Sequence, residues 1–293
     1  MAERDASKER YFELRKIAIL AMFTDDVLFN RLVLKGGNAL DVVLGMGGRT
    51  SIDVDFSIEG DFDDLDDIKR RVQQAIEGRF DSAGFSVVDF TFERKPGFRR
   101  PGMPVEWGGY RIEFKIIRKA MAREAEQLGS RGFTLAENVG PGSLKTMTIE
   151  ISHHEYTQGR IEKEVDHELV VVYTPSMIAI EKLRAICQQM PEYTPNNTPV
   201  PRAKDFYDIY RLCEIDGVRL DSEECGELLV HMFAAKVVPL ELLQRVGETR
   251  DFHVQSWPEV VDAARERLSR DDFGKYVDYV VRLIGTLKLP RNE

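Results

Sequence analysis

Two aspartates one residue apart, Asp53 and Asp55, lie in the run Arg49-Thr-Ser-Ile-Asp-Val-Asp-Phe56. In an extended strand they project from one face, while Ile52, Val54 and Phe56 turn to the core. Neighbouring carboxylates repel each other unless a cation lies between them. Mg²⁺ suits such a pair, because it takes one or two carboxylates and completes its shell with water and substrate phosphates; Mn²⁺ is the alternative. Just upstream, Arg31 to Lys35 reads as a short buried strand and Gly36-Gly37 as a tight turn open to a ligand's close approach. Asn38 is then an N-cap for a helix over 39–44, whose free N–H groups attract anions. Together these features point to a metal–nucleotide site.

Familiar phosphate loops do not fit this stretch. No Gly-Lys-[Ser/Thr] follows the glycines, and Gly45-Met-Gly-Gly48 lacks the G-x-G-x-x-G spacing. The acidic run 59–67 lacks the spacing and terminal Glu of a calcium loop. It reads as the negatively charged first turn of a helix over 65–80.

Partners for the two aspartates must come from later segments. Glu150, between Ile149 and Ile151 on a strand over 144–152, is a candidate third carboxylate for metal-assisted transfer. Glu113, in Ile112-Glu-Phe114, has the same local form and stays open as the alternative. Thr174-Pro175 caps a helix reaching about 190. Lys182 lies at the edge of its apolar stripe, either snorkelling to solvent or directed into a cleft. In the helix 202–213, Phe206, Ile209, Tyr210 and Cys213 form the apolar stripe. Asp205 and Asp208 lie on an adjoining face, within reach of Lys182 if the two helices pack together. His153-His154 and Asp166-His167 lack clustered partners and read as surface histidines rather than zinc ligands.

The elements holding these residues change character along the chain. A helix over 8–30, broken at Thr24-Asp25-Asp26 with Thr24 or Asp25 capping its second part, precedes the first strand. Strands over 85–92 and 110–117 alternate well and pair across a Pro/Gly-rich connection. From Thr174 onward the pattern is helical, with segments at 220–238, 240–245, about 256–270 and 272–287. Ser256-Trp-Pro-Glu259 reads as a capping box. The expected architecture is α+β, with a mixed sheet flanked by helices in residues 1–172 and a helical bundle in 173–293.

The 293-residue chain is 43% hydrophobic and 31% charged, as in a soluble globular protein. Its three cysteines form no disulfide or metal pattern, its charged beginning has no signal-peptide form, and no apolar run is long enough to span a membrane. The expectation is a cytoplasmic protein. A net charge of −9 argues against nucleic-acid binding by the whole surface. A local basic segment runs from Arg94 through Lys95, Arg99 and Arg100 to Lys119; it is either an RNA-contacting patch or a solvated hairpin.

Taken together, Leu34-Lys-Gly-Gly-x-Ala-Leu40, Arg49-x-Ser-x-Asp-x-Asp-Phe56, Thr148-Ile-Glu-Ile151, Glu181-Lys-Leu-x-Ala185 and Lys204-Asp-Phe-x-Asp-Ile209 form a recognisable order. The pattern resembles the AbiEii/AbiGii-type toxins, nucleotidyltransferases of type IV toxin–antitoxin and abortive-infection systems with the DNA polymerase β-like fold. The resemblance implies that Gly36 and Gly37 hold the nucleoside triphosphate's phosphates, with Arg49 and Ser51 contacting them. It implies that Asp53 and Asp55 bind Mg²⁺, with Glu150 as third acid. Lys182 would meet the triphosphate, and Asp205 would act near the reacting groups together with Asp208. Many members of the superfamily carry Gly-Ser where this chain has Gly36-Gly37, a difference the toxin branch tolerates. The implied acceptor is the tRNA 3′ end, and the implied partner a winged-helix antitoxin encoded nearby. The same fold acting on a small-molecule or protein hydroxyl, and a non-catalytic nucleotide-binding module, are the alternatives.

Overall fold

A computed structural model describes residues 2–49 and 51–290, the side chains of residues 2–6, 130 and 131 excepted. The chain opens with α1 (Ala2–Ala21) and α2 (Asp26–Arg31). Asp25 caps α2, its carboxylate accepting from the N–H groups of Val27 and Leu28. Strand β1 (Val33–Lys35) leads into a three-residue helical turn, α3 (Gly36–Asn38), which widens into a π-helical turn over Ala39–Val43. Strand β2 (Val54–Ser57) follows, then α4 (Leu65–Ser82), capped by Asp64. Next come the long pair β3 (Phe85–Lys95) and β4 (Gly109–Arg118), helix α5 (Ala122–Leu128), β5 (Met147–Ser152), and the hairpin β6 (Ile161–Val165) and β7 (Glu168–Val172).

The seven strands form one mixed sheet in the order β3-β4-β5-β2-β1-β7-β6. β2 runs parallel to β5 and antiparallel to β1, and β1 is parallel to β7. Alternation along β5 buries Met147, Ile149 and Ile151 and leaves Thr148, Glu150 and Ser152 on the other face. Helix α4 covers the apolar face with Ile68, Val72, Ile76 and Phe80, whose ring meets Phe114 edge-on at 5.5 Å.

After β7 the described elements are helices: α6 (Pro175–Cys187), α7 (Ala203–Tyr210), α8 (Glu223–Ala234), α9 (Arg250–His253), α10 (Trp257–Ala263) and α11 (Phe273–Ile284), with short 3₁₀ and π turns between them. Thr174 accepts from Met177 N–H, so the cap-plus-proline start of α6 is as expected. The apolar core is continuous from the sheet through α6 and α7 to Trp257 and Tyr276.

The expected α+β architecture is the one found, with local corrections. The hairpin β6–β7 was not expected. Its two-residue turn places Asp166 and His167 at φ of 50° and 68°, a conformation normally signalled by Asn-Gly. Asn38 lies inside the helical turn instead of capping it, because its amide is fully buried and donates to the Asp53 carbonyl at 2.6 Å. Strand β2 starts only at Val54, so Ile52 is 41% exposed and does not reach the core. Ser256 makes no cap of its own helix; its hydroxyl accepts from Ala203 N–H at 3.1 Å, and α10 stops at Ala263. His153 is not a surface residue: it is fully buried, edge-on to Tyr110.

Burial holds the imidazoles of His153 and His253 down to about 4. His253 Nδ1 accepts the Arg202 N–H at 2.9 Å and so needs the neutral ring. With a folded value below the unfolded one near 6.5, the stability this gives is complete above that value and is lost as pH falls toward 4. In urea unfolding, wild type should therefore lose about 1–2 kcal/mol more between pH 7 and pH 5 than His253→Asn does. Equal losses would contradict a buried neutral His253.

Candidate active site

Register places the candidate acids. Across the polar face of the sheet, Lys35 on β1 opposes Asp55 on β2, Asp55 opposes Glu150 on β5, Glu150 opposes Arg111 on β4, and Arg111 opposes Glu93 on β3. Charges alternate along this row at every step but one: Asp55 and Glu150 are directly apposed carboxylates. Lys35 does not neutralise Asp55 by contact, since its ammonium turns to Ser152 Oγ at 3.1 Å and Glu155 at 3.3 Å. Glu150 is bound by Arg111 at 2.6 Å. Among the described residues, neither Asp53 nor Asp55 accepts a side-chain hydrogen bond or ion pair. Burial pushes Asp55 up to about 6, opposed by Lys35 and reinforced by Glu150. Asp53 is raised too, by desolvation and then by Glu150.

The glycines are there because nothing larger fits. A Cβ on Gly36, at φ +71°, would lie 2.7 Å from Asp55 Oδ2. A Cβ on Gly37 would lie 2.7 Å from Ser51 Cβ and 2.8 Å from its hydroxyl. The Ser51 hydroxyl thus occupies the space where a side chain at position 37 would begin.

These residues line a cavity of about 360 Å³. Its walls bring together Gly36, Gly37, Arg49, Ser51, Asp53, Asp55, Glu150, Lys182 and Asp205. Glu113 is not on that wall; it sits opposite Thr148, two register positions from Glu150. Lys182 does not snorkel. It is 3% exposed and donates to Asp208 at 2.7 Å and Asp205 at 3.2 Å. Arg49 grips Asp208 with two parallel bonds, at 3.0 and 2.7 Å. Asp208 therefore lies behind the cavity wall as the anchor of two cations. Burial alone would raise Asp205, yet Arg202, Lys182 and Lys204 hold it well below the carboxylate range.

Other wall residues were not singled out from sequence. Lys204 forms no hydrogen bond or ion pair among the described residues and lines the cavity beside Asp53. Withdrawal from bulk water lowers its ammonium, opposed by Asp205 and reinforced by Arg202, Arg49 and Lys182. Such an uncompensated cation suits an anionic ligand. Glu155, 3% exposed, is clamped by Arg184 at 2.7 and 3.1 Å. Lys236 donates to the carbonyls of Glu106 and His153, each at 2.6 Å. Both are isolated polar residues in sequence, and only tertiary packing makes them neighbours.

The cations of the basic segment are mostly paired. Arg94 meets Asp61, Lys95 meets Glu93, and Lys115 meets Asp89. Arg99 spends its guanidinium on the carbonyls of Pro104, Val105 and Trp107, bracing its own loop. Arg100 is exposed.

Among the described residues, no cluster of three or more His, Cys, Asp or Glu is arranged to hold a metal on its own. What the cavity offers is two carboxylates free of hydrogen bonds, beside cations suited to phosphate. That set fits an ion of the Mg²⁺ type, which is completed by substrate oxygens and water.

A family model described as "Nucleotidyl transferase AbiEii toxin, Type IV TA system" matches residues 18–284. Among solved structures, a Helicobacter pylori protein assigned to the nucleotidyltransferases aligns with TM-score 0.51 at 16% identity, covering 94% of this chain and 93% of that one. JHP933 from Helicobacter pylori aligns with TM-score 0.49 at 15% identity, covering 94% and 91%. No curated protein matches the sequence significantly.

The two kinds of carboxylate should respond oppositely to removal. Asp208→Ala strands two buried cations and should cost about 3–5 kcal/mol of stability. Asp55→Asn relieves repulsion and desolvation, so its melting temperature should equal or exceed that of wild type. Thermal unfolding of both variants checks this, and a strongly destabilised Asp55→Asn would contradict the uncompensated pair.

Proposed function

This chain belongs to the AbiEii nucleotidyl transferase toxin family and is a nucleotidyltransferase, and from that premise we propose an Mg²⁺-dependent transfer of a nucleoside monophosphate from a nucleoside triphosphate to the 3′-terminal hydroxyl of tRNA. The observation that carries the reading is the uncompensated Asp53–Asp55 pair lining one cavity with Lys204, Arg49 and Lys182. Bound between the aspartates and the phosphates, Mg²⁺ or Mn²⁺ would supply charge neutralisation and acidify the attacking hydroxyl.

The protein's own groups define the rest. Gly36 and Gly37 let the backbone approach the phosphates without a side chain in the way. Lys204 and Lys182 offer positive charge to the pyrophosphate as it leaves, with Arg49 and Ser51 beside them. Asp205 and Asp208 hold Lys182 in place, so the two acids act through the lysine's position. Glu150, held by Arg111, adds negative potential on the cation's side. Glycine at 37 is no defect in this scheme, since Ser51 supplies a hydroxyl at that place.

For an RNA acceptor, Arg100 is an exposed cation of the basic segment with no acidic partner among the described residues, while Arg94, Lys95 and Arg99 shape the hairpin carrying it. Transfer to a protein or small-molecule hydroxyl is the second reading, favoured by the acidic partners that neutralise most of this segment. A winged-helix antitoxin is the proposed protein partner, and the cytoplasm the proposed compartment. No helix among the described residues is long and apolar enough to cross a membrane.

Each α-labelled nucleoside triphosphate, offered with Mg²⁺ and total tRNA, should yield label on RNA. Chelation, or Asp53→Ala in folded protein, should reduce it to background. Substantial transfer by folded Asp53→Ala would refute the metal assignment; label on protein alone would replace tRNA as acceptor. Arg100→Ala should weaken tRNA binding and flatten its salt dependence by about one unit of log–log slope. An unchanged slope would remove this segment as the RNA contact.

A further inference from the structure

We infer that Gln188 sets the base preference of this cavity, favouring nucleoside triphosphates whose base carries an exocyclic amino group, at the 4-position of a pyrimidine or the 6-position of a purine. The inference rests on the nucleotidyl-transfer reading for the orientation of the nucleotide, and it adds the choice of base.

The cavity has two chemically different ends along α6. Lys182 lies at one, beside Arg49, Arg202, Lys204 and the two glycines. Gln188, the C-cap of α6, comes six residues later, on the order of 9 Å along the helix axis. A chain of contacts ties Gln188 to the aromatic wall of its own end. Its amide meets the Tyr193 hydroxyl at 3.3 Å, and Tyr193 meets the Lys236 carbonyl at 2.9 Å. Lys236 in turn donates to the carbonyl of Glu106, the residue before Trp107, which lines the cavity. The cations nearer Gln188, Lys35, Arg184 and Lys236, are spent on Glu155, whereas Lys204 is unpaired among the described residues, so phosphates belong at the Lys204 end and the base is left to the end with Trp107 and Gln188. An indole face accepts any base by stacking, so selectivity must come from a polar group.

The orientation of the Gln188 amide follows from its neighbour. The Lys236 carbonyl can only accept, so the Tyr193 proton is committed to it. Toward Gln188 the phenol oxygen can then only accept, and Gln188 must present its NH₂ group there. Its Oε1 is left without a partner among the described residues, on a side chain that lines the cavity. The adjacent Gln189 shows the contrast. Its Nε2 is bound to the Ala185 carbonyl at 3.0 Å, and its Oε1 accepts from Asn196 at 3.0 Å and Val200 N–H at 2.9 Å. Gln189 is spent on holding the 191–201 loop; Gln188 is fixed and half-used.

A fixed carbonyl oxygen accepts from the N–H of cytosine N4 or adenine N6. It faces an oxygen at the same place in uracil and hypoxanthine, where two lone pairs meet. Sites built around such a bond reject the isostere that lacks it, because the polar group is left unpaired.

The test is competition against a ribose-labelled fluorescent ATP with Mg²⁺, comparing CTP with UTP and ATP with ITP. Wild type should favour CTP over UTP, and ATP over ITP, by about tenfold or more. Gln188→Met should bring both ratios to within about twofold, through weaker binding of CTP and ATP. Tyr193→Phe frees the amide to rotate and should shrink both ratios while Gln188 is still present. Wild-type ratios near one, ratios unchanged in Gln188→Met, or no nucleotide binding at all would each overturn the inference. Selective binding without transfer of label to any acceptor would sustain it and count against the transfer reading alone.

Discussion

Asp55 and Glu150 are held side by side by the hydrogen-bond ladder between two parallel strands, and neither can move away without breaking sheet register. Elsewhere in the same row the fold matches opposite charges, Lys35 to Asp55 and Arg111 to both Glu150 and Glu93. The other acids in and behind the cavity wall show how this protein treats a buried carboxylate that it pairs. Asp205, Asp208 and Glu155 each meet at least two cations at contact distance. Among the described residues, Asp53 and Asp55 meet none. A fold that compensates its structural acids so fully and leaves this pair bare keeps a local instability where the charge has a use.

The helices after β7 make that instability productive. They carry Lys182 and Lys204 to the cavity that the carboxylates line, and they are locked there by bonds crossing between the two halves of the chain. Arg49, from the loop before β2, grips Asp208 on α7; Arg265 N–H bonds the Gly48 carbonyl at 2.9 Å; Arg265 also pairs with Asp41. At the other end, Lys236 ties the loop after β3 to the helical half. Because the apolar core is continuous across these ties, the cavity walls are positioned by packing as well as by charge. Single cations on this wall are thus fixed before any ligand arrives, which is the preorganisation that charge stabilisation requires.

Much of this was legible in the chain, for identifiable reasons. The Asp53–Asp55 spacing, the double glycine, and the period-two runs of β3, β4 and β5 are local signals, and local signals survive in sequence. Residues 18–284 match one family because those signals keep a fixed order. The losses are of two kinds. Asp166-His167 makes a hairpin turn from residues that seldom do so, and Ser256 gives its hydroxyl to Ala203 instead of to its own helix. Glu155, Arg184, Lys236 and Gln188 bear no motif; they matter because packing carries them to one cavity. The buried lysine at 182 was undecidable until α7 brought Asp205 and Asp208 against it.

We propose that Asp53 and Asp55 hold a divalent cation against a nucleotide's phosphates. Electron paramagnetic resonance of Mn²⁺ with a non-hydrolysable α,β-methylene nucleoside triphosphate addresses it directly. The account predicts one bound Mn²⁺ with resolved coupling to phosphorus nuclei in wild type, and loss of that species in folded Asp55→Asn. Phosphorus-coupled Mn²⁺ bound equally well by Asp55→Asn, or Mn²⁺ bound to the protein with no phosphorus coupling, would contradict it.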